Sequence, residues 1–479
     1  MRVSDSGVGR GSATLRGMPL NETLSARRAS MAATWGLTRE IVLVPSGLPI
    51  PIAGTDQSHI YHAHPEHRYL AGTSQAESLL AFDPGEGWTL FAPVAGTDER
   101  VWSGDRTALE EVQAISGLDS MRPSAELPAW LERRRGETFA VIGNDDMRRQ
   151  PEAYGIANWR SLELDIDESL SARLSAQVSE QRRAKDSAEL ALMRAAADAS
   201  RAGHLTAMKL ARPRITERAL QIEVEAAFFR AGSERTAYGS ILGSGPNAAI
   251  LHSTPSQRAM GEGELLLMDA AAEYDGYAAD ITRTIPIGPR YIGLQRDLYQ
   301  LVLDVQTMAI AGVRPGQEFK ELHLRACAQI ASGLVDIGIL RGNAEDLVDR
   351  DAHALFFPHG LGHMLGLATH DAGGCLAGRE KSDRFGLKWL RADLPLQPGY
   401  VVTIEPGIYF IRALLEDSAR RETFRDAVNW ERVDALLDFG GIRIEDDVLV
   451  TARGSEVLSA GIPRTMAEIE ALRGEGLDA

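Results

Sequence analysis

Cysteine is nearly absent. Two residues, Cys327 and Cys375, stand in 479, and they share no motif spacing. A disulfide framework is therefore excluded, and a reducing compartment is the expected home, with the cytoplasm as the location. Long hydrophobic runs are missing too. No stretch of 18 or more apolar residues occurs, so no membrane-spanning helix is expected. The opening MRVSDSGVGRGSATLRGMPL lacks the apolar centre of a secretory signal, and Asp5 and Glu22 count against a transit peptide. Residues 1–30 read as a flexible leader. Basic charge is also short: 51 Lys and Arg against 67 Asp and Glu leave a formal net charge of −16. That balance excludes the basic footprint of a nucleic-acid binder.

The length points to two or three domains. LSARRASMAATWG predicts a first helix. From Tyr69 the segments YLAGT, SLLAF and GWTLFAPV predict strands, and TFAVIGND around Val141 predicts another buried strand of an α/β layer. Residues 31–178 are accordingly expected as a first domain. LDIDESLSARLSAQVSEQRRAK predicts a polar helix leading into a second domain. Asp186 with Glu189 predicts a capping box, and Thr216 a cap for a helix whose Leu220, Val224, Ala227 and Phe228 share one face. After Gly243 strands and tight turns take over. Helices followed by strands predict an α+β second domain over 179–479 rather than a βαβ repeat.

Carboxylates in unusual places carry the chemistry. In GELLLMDAAAEYDGYAADITRT a buried strand ends in Asp269, a second carries Asp280, and Asp275-Gly276 offers a hairpin turn between them. A turn centred on Tyr274–Asp275 puts the two aspartates directly opposite; one centred on Asp275–Gly276 makes them diagonal neighbours on one face. Glu405 ends the apolar run VVTIE, and GGIRIEDDVLV sets Arg443 and Glu445 on one face of a strand. Acidic side chains are seldom buried unless paired or bound to metal. The histidines of FPHGLGHMLGLATHD add nitrogen. His359 and His363 lie four apart without the Glu of an HExxH site, so a zincin does not fit. Four carboxylates balance two divalent cations, and one imidazole among oxygens suits manganese, cobalt or zinc. Two ions about 3.5–4 Å apart can share a water and lower its pKa to about 7.

These motifs, DITRT, HGLGH, EPGIY and RIEDD, resemble the pita-bread metallopeptidases, the family of methionine aminopeptidase, aminopeptidase P, prolidase and creatinase. The resemblance spans about residues 180 to 465, and a domain like 30–175 is what the last three add. It implies a C-terminal pita-bread catalytic domain preceded by a smaller α/β domain. Prolidase, the Xaa-Pro dipeptidase, is the nearest likeness, through FFPHGLGHMLGLATHDAGG, the terminal IPRTMAEIEAL and the long interval between Glu405 and Glu445.

By that resemblance Asp269 holds one metal ion, His363 and Glu405 the other, and Asp280 and Glu445 bridge them. Two divalent ions per subunit are implied, manganese first. A hydroxide between them would attack, with Glu405 passing its proton to the leaving nitrogen. His370 would meet the scissile carbonyl, and His252 is the substrate histidine. Arg391 would take the free C-terminal carboxylate of a dipeptide as a guanidinium fork. Tyr238 would line the same pocket. His359 has a structural or a substrate role, and Arg443 anchors the site by pairing with a carboxylate, or binds substrate. Ala270 and Ala271 depart from the family, which often has glycine there. The expected activity is hydrolysis of Xaa-Pro dipeptides. The alternatives are an aminopeptidase P on longer peptides, a non-catalytic binding module and creatinase-like chemistry without metal. Relatives suggest a homodimer. His59, His62, His64 and His67 read as a polar loop near the dimer interface or as a second metal site.

Overall fold

The apolar runs IVLVP, LLAFD and GWTLFA become neighbouring strands of one sheet in the computed structural model, which describes residues 20–143, 149–154 and 164–477. The chain divides into two compact units between Val178 and Ser179. The first is built on a six-stranded mixed sheet: β1 (Ile41–Pro45), β2 (Leu79–Asp83), β3 (Gly87–Ala92), β4 (Ser120–Pro123), β5 (Thr138–Val141) and β6 (Asp165–Ile166), in the order β4-β3-β2-β1-β5-β6. Side chains alternate across the sheet, so each face needs its own cover. Leu79, Ala81 and Phe91 pack with Trp130 and Tyr154, whereas Phe82 and Trp88 stack with Trp35 of the helix Leu20–Trp35.

Two expectations change here. Residues 20–30 belong to that first helix rather than to a leader; residues 1–19 lie outside the described residues, as do Asn144 and Asp145 of TFAVIGND. YLAGT is no strand either. Pro65–Ala71 is a helix with Pro at its first turn, stopped by Gly72 in the left-handed region at φ +71°. His67 is buried against Ser78 Oγ (3.2 Å), His64 meets the Pro45 carbonyl (3.1 Å), and His59 is exposed. Among the described residues no cluster with metal-ligand spacing includes them.

In the second unit the expected caps form. Asp186 and Glu189 make the capping box of helix Ser187–Leu210, and Thr216 Oγ1 caps helix Glu217–Arg230, whose Leu220, Val224 and Phe228 are buried. Helices Leu294–Gly312 and Phe319–Asp336 complete the cover of one large apolar core. Against them lie antiparallel sheets made of β7 (Arg235–Thr236), β8 (Ile241–Ser244), β9 (Leu265–Asp269), β10 (Ala272–Tyr274), β11 (Tyr277–Ala278), β12 (Thr282–Pro286), β13 (Val401–Ile404), β14 (Gly407–Tyr409), β15 (Gly441–Arg443), β16 (Asp446–Val450) and β17 (Ser455–Val457). The orders are β12-β9-β8, β11-β10-β7, β13-β16-β17 and β14-β15. The two units together give the α+β architecture that the element order implied. Among the described residues no helix is long and apolar enough to cross a membrane.

Candidate active site

The turn decides where the first two carboxylates stand. Tyr274 opposes Tyr277 across β10 and β11, so the turn residues are Asp275 and Gly276, with φ of +46° and +83°. Two residues in the left-handed region suit Asp-Gly and few other pairs. The same register runs through Ala279 N to Ala272 O and Ala270 N to Ile281 O into β9 and β12, where Asp269 faces Thr282. Asp269 and Asp280 are therefore diagonal neighbours, the second of the two arrangements the sequence allowed. Both are buried.

A second layer brings the other candidate ligands. Thr403 of β13 exchanges bonds with His363, backbone N to O at 2.9 Å and hydroxyl from His363 N at 3.0 Å, and Glu405 N bonds Leu361 O at 2.8 Å. The chain can lie this close only because Gly362 has no side chain: a Cβ there would stand 1.9 Å from the Thr403 carbonyl oxygen. Gly362→Ala is expected to cost about 1–3 kcal/mol of stability by overpacking. The segment carrying His363 must move off β13, so thermal unfolding at a lower temperature and weakened ion binding in the same variant check this. Glu445 follows β15, and Thr282 Oγ1 donates to its Oε2 at 2.6 Å, which ties it to the first hairpin.

The centre holds far more negative than positive charge. Asp280, His363 and Glu445 place ligand atoms within 4.8 Å of one another. His363 Nδ1 faces the Met364 carbonyl (3.0 Å), which can only accept, so the proton sits on Nδ1. Nε2 then points at Asp280 Oδ2 (3.3 Å) and Glu405 Oε1 (3.7 Å). Burial opposes charge on this ring, but those carboxylates outweigh it and raise its pKa. Burial raises the pKa of Asp269, drives Glu405 to about 7 and lifts Glu445 well above the carboxylate range, with Asp280 adding repulsion in each case.

Arg443 answers only part of this. Its guanidinium donates to Asp269 Oδ2 (2.6 Å), Thr282 Oγ1 (3.0 Å) and Tyr409 OH (2.8 Å), and it is almost wholly buried. These bonds fit the anchoring alternative for Arg443. His359 completes a chain from it: Tyr409 OH donates to Nε2 (2.8 Å), and Nδ1 donates to Gly360 O (2.8 Å). Burial and nearby Arg443 lower the His359 pKa to about 3, so the ring is neutral and both its nitrogens are engaged. That arrangement supports the structural alternative for His359.

All eleven residues singled out in the sequence line one cavity of about 820 Å³. His252, His370 and Arg391 are exposed on its walls. Tyr238 OH donates to Asp269 Oδ1 (2.5 Å), orienting that carboxylate as well as lining the space.

The comparisons with known proteins agree with this geometry. Residues 191–452 match Metallopeptidase family M24, and residues 24–139 match the Aminopeptidase P, N-terminal domain. The chain belongs to metallopeptidase family M24. It is similar to the "Probable Xaa-Pro aminopeptidase pepP" of Neosartorya fischeri, 32% identical over 419 residues, covering 84% of this chain and 86% of the relative. Among solved structures, Pseudomonas aeruginosa aminopeptidase PepP matches with a TM-score of 0.81 at 30% identity, over 96% of this chain and 99% of that one. Escherichia coli aminopeptidase P with the inhibitor Pro-Leu matches with a TM-score of 0.78 at 28% identity, over 96% and 99%. The second unit is the pita-bread domain of an M24 metallopeptidase, and the first carries the aminopeptidase P N-terminal domain.

The donor set fits the divalent ions that an M24 metallopeptidase implies. His363 Nε2 faces carboxylate oxygens at 3.3 and 3.7 Å, a place that either a proton or a cation can fill. Four carboxylates around one guanidinium leave a charge excess that divalent ions neutralise. Sequence reading missed several supports. Thr282 stands in DITRT, and Asp447 in RIEDD accepts from Asp280 N at 3.2 Å. Tyr409 stands in EPGIY, and Trp389, half exposed, adds an aromatic side chain to the cavity. The first three lay inside motifs already visible; Trp389 had only its closeness to Arg391 as a signal.

Proposed function

We propose that this M24 metallopeptidase is an Xaa-Pro aminopeptidase, releasing the first residue from peptides whose second residue is proline. One observation carries the reading: Xaa-Pro aminopeptidases and aminopeptidase P structures match it across both units, over 84% to 96% of the chain. This replaces the dipeptidase as the first choice. Asp269, Asp280, His363, Glu405 and Glu445 would hold two divalent ions, manganese first and cobalt or zinc as alternatives. Such ions activate water near neutral pH and polarise the scissile carbonyl.

The chain's own groups do the rest. Glu405, its side chain 17% exposed towards the cavity, accepts a proton at a carboxylate oxygen and returns it to the leaving proline nitrogen. Its place on the cavity wall beside His363 suits both transfers. His370 keeps one edge open to the cavity while the rest of the ring is covered; that burial, then His363 and Arg391, lower it to about 4, so it is neutral and can donate one N–H to the carbonyl oxygen. His252 approaches from another wall to hold the peptide. The Xaa-Pro bond brings no N–H, and a pocket that asks for none accepts it. The scarcity of cysteine supports a cytoplasmic location, and family resemblance supports a homodimer.

One observation favours the dipeptidase reading. Among the described residues nothing bonds the Arg391 guanidinium, which leaves it free for a C-terminal carboxylate. Hydrolysis of Ala-Pro, Ala-Pro-amide and Ala-Pro-Ala with added manganese separates the two. The expected result is preference for Ala-Pro-Ala, with Arg391→Ala changing KM less than about threefold. Cleavage of Ala-Pro alone, lost on Arg391→Ala, would make the chain a prolidase.

A further inference from the structure

One carboxylate outside the site gathers the loop that carries His252. Glu217 opens helix Glu217–Arg230 and is completely buried. Its Oε1 accepts from Ser244 N (2.8 Å), Ser244 Oγ (2.9 Å) and Asn247 Nδ2 (3.1 Å). Its Oε2 accepts from Ser256 N (3.1 Å) and Ser256 Oγ (2.7 Å), with Asn247 Nδ2 at 3.3 Å. Ser244 and Ser256 are the two ends of one excursion of the chain, and Leu251, His252, Thr254 and Pro255 between them line the cavity.

Within the excursion the backbone bonds are local, Ile250 N to Asn247 O and Ser253 N to Ile250 O. Those bonds shape the loop without fixing where it stands. Its first part also rests on Gly440 and Gly441, which leave room for the Gly245 and Ala248 carbonyls. The part with His252 packs through Leu251 beside Leu267 and Tyr409, and its ends close on Glu217, with Arg218 N also bonding Ser256 O at 2.9 Å, as in compact surface loops whose ends are close. A buried charge met by this many donors is strongly oriented, and removing it leaves the donors unsatisfied.

We infer that Glu217 is a positioning residue: by tying Ser244, Asn247 and Ser256 to one carboxylate it sets His252 against the bound peptide. The inference rests on the proposed function in so far as His252 acts on that peptide. Glu217→Gln keeps the shape but turns an acceptor oxygen into an N–H₂ aimed at donors.

The test has two parts. Hydrogen exchange in Glu217→Gln should speed about tenfold or more over residues 244–256 while the β9–β12 hairpin keeps its protection. On Ala-Pro-Ala, kcat/KM should fall about tenfold in the wild-type background but less than twofold in a His252→Ala background, because a misplaced histidine cannot be lost twice. Equal falls in both backgrounds, or unchanged exchange in the loop, would each overturn the inference. Should Glu217→Gln not fold, Ser256→Ala removes one donor and should show the same pattern at smaller size. Failure of the proposed function is visible separately, as wild-type protein inert on Ala-Pro-Ala; loop exchange then decides the hold of Glu217 alone.

Discussion

Glu405→Gln is expected to lower kcat on Ala-Pro-Ala by about 10²–10⁴-fold with little change in KM, the range for loss of a general acid–base group. The geometry supports so large an effect. Glu405 follows β13, its backbone is fixed to Leu361, and its carboxyl faces the cavity beside His363 and His359. Glutamine keeps a carbonyl oxygen at that place and can still coordinate, but it cannot carry a proton between water and the leaving nitrogen. Ion content should therefore stay near that of the wild type, which elemental analysis of the purified variant would show. A kcat within tenfold of wild type, with ions retained, would remove Glu405 from the proton path.

Removing the ions is expected to abolish turnover and to expose a pH dependence that the loaded protein lacks. Without ions, burial raises the pKa of Glu405 to about 7 and that of Asp269 and Glu445 above normal, so the folded state holds protons that the unfolded chain has released. More protons bound in the native state means that stability falls as pH rises. The fall should begin above the ordinary carboxylate range, near pH 4.5, and extend through about 7 and beyond. Divalent ions replace those protons, so binding releases protons and tightens over the same window. At an ion concentration a hundred times Kd the gain is about 2.7 kcal/mol. Thermal unfolding of stripped and loaded protein between pH 5 and 8 should give curves that diverge as pH rises. Parallel curves would show that the carboxylate cluster is not where the ions bind.

Much of this centre was legible because its signals are local. Asp275-Gly276 restricted the hairpin to two registers, Asp186 and Thr216 announced their helices, and acidic residues at the ends of apolar strands stood out as misplaced. What stayed hidden depends on partners far along the chain. Thr282 supports Glu445 across 163 residues, Arg443 meets Asp269 across 174, and Glu217 reaches Ser256 across 39. Periodicity tells which face is buried, not what will lie against it. YLAGT failed for a related reason: Pro65 starts a helix there and tertiary packing favours it over the strand propensity of Tyr69 and Leu70. The choice between dipeptides and longer peptides was not local either. Arg391 suggested the first, and the extent of similarity over both units supports the second.

The most direct measurement is a manganese titration of chelator-stripped protein, following bound ion and release of alanine from Ala-Pro-Ala in the same samples. The account predicts no turnover without ion, two ions bound per chain at saturation, and activity that rises as they bind. Full-rate release by stripped protein in excess chelator, or no release at any ion level, would contradict it.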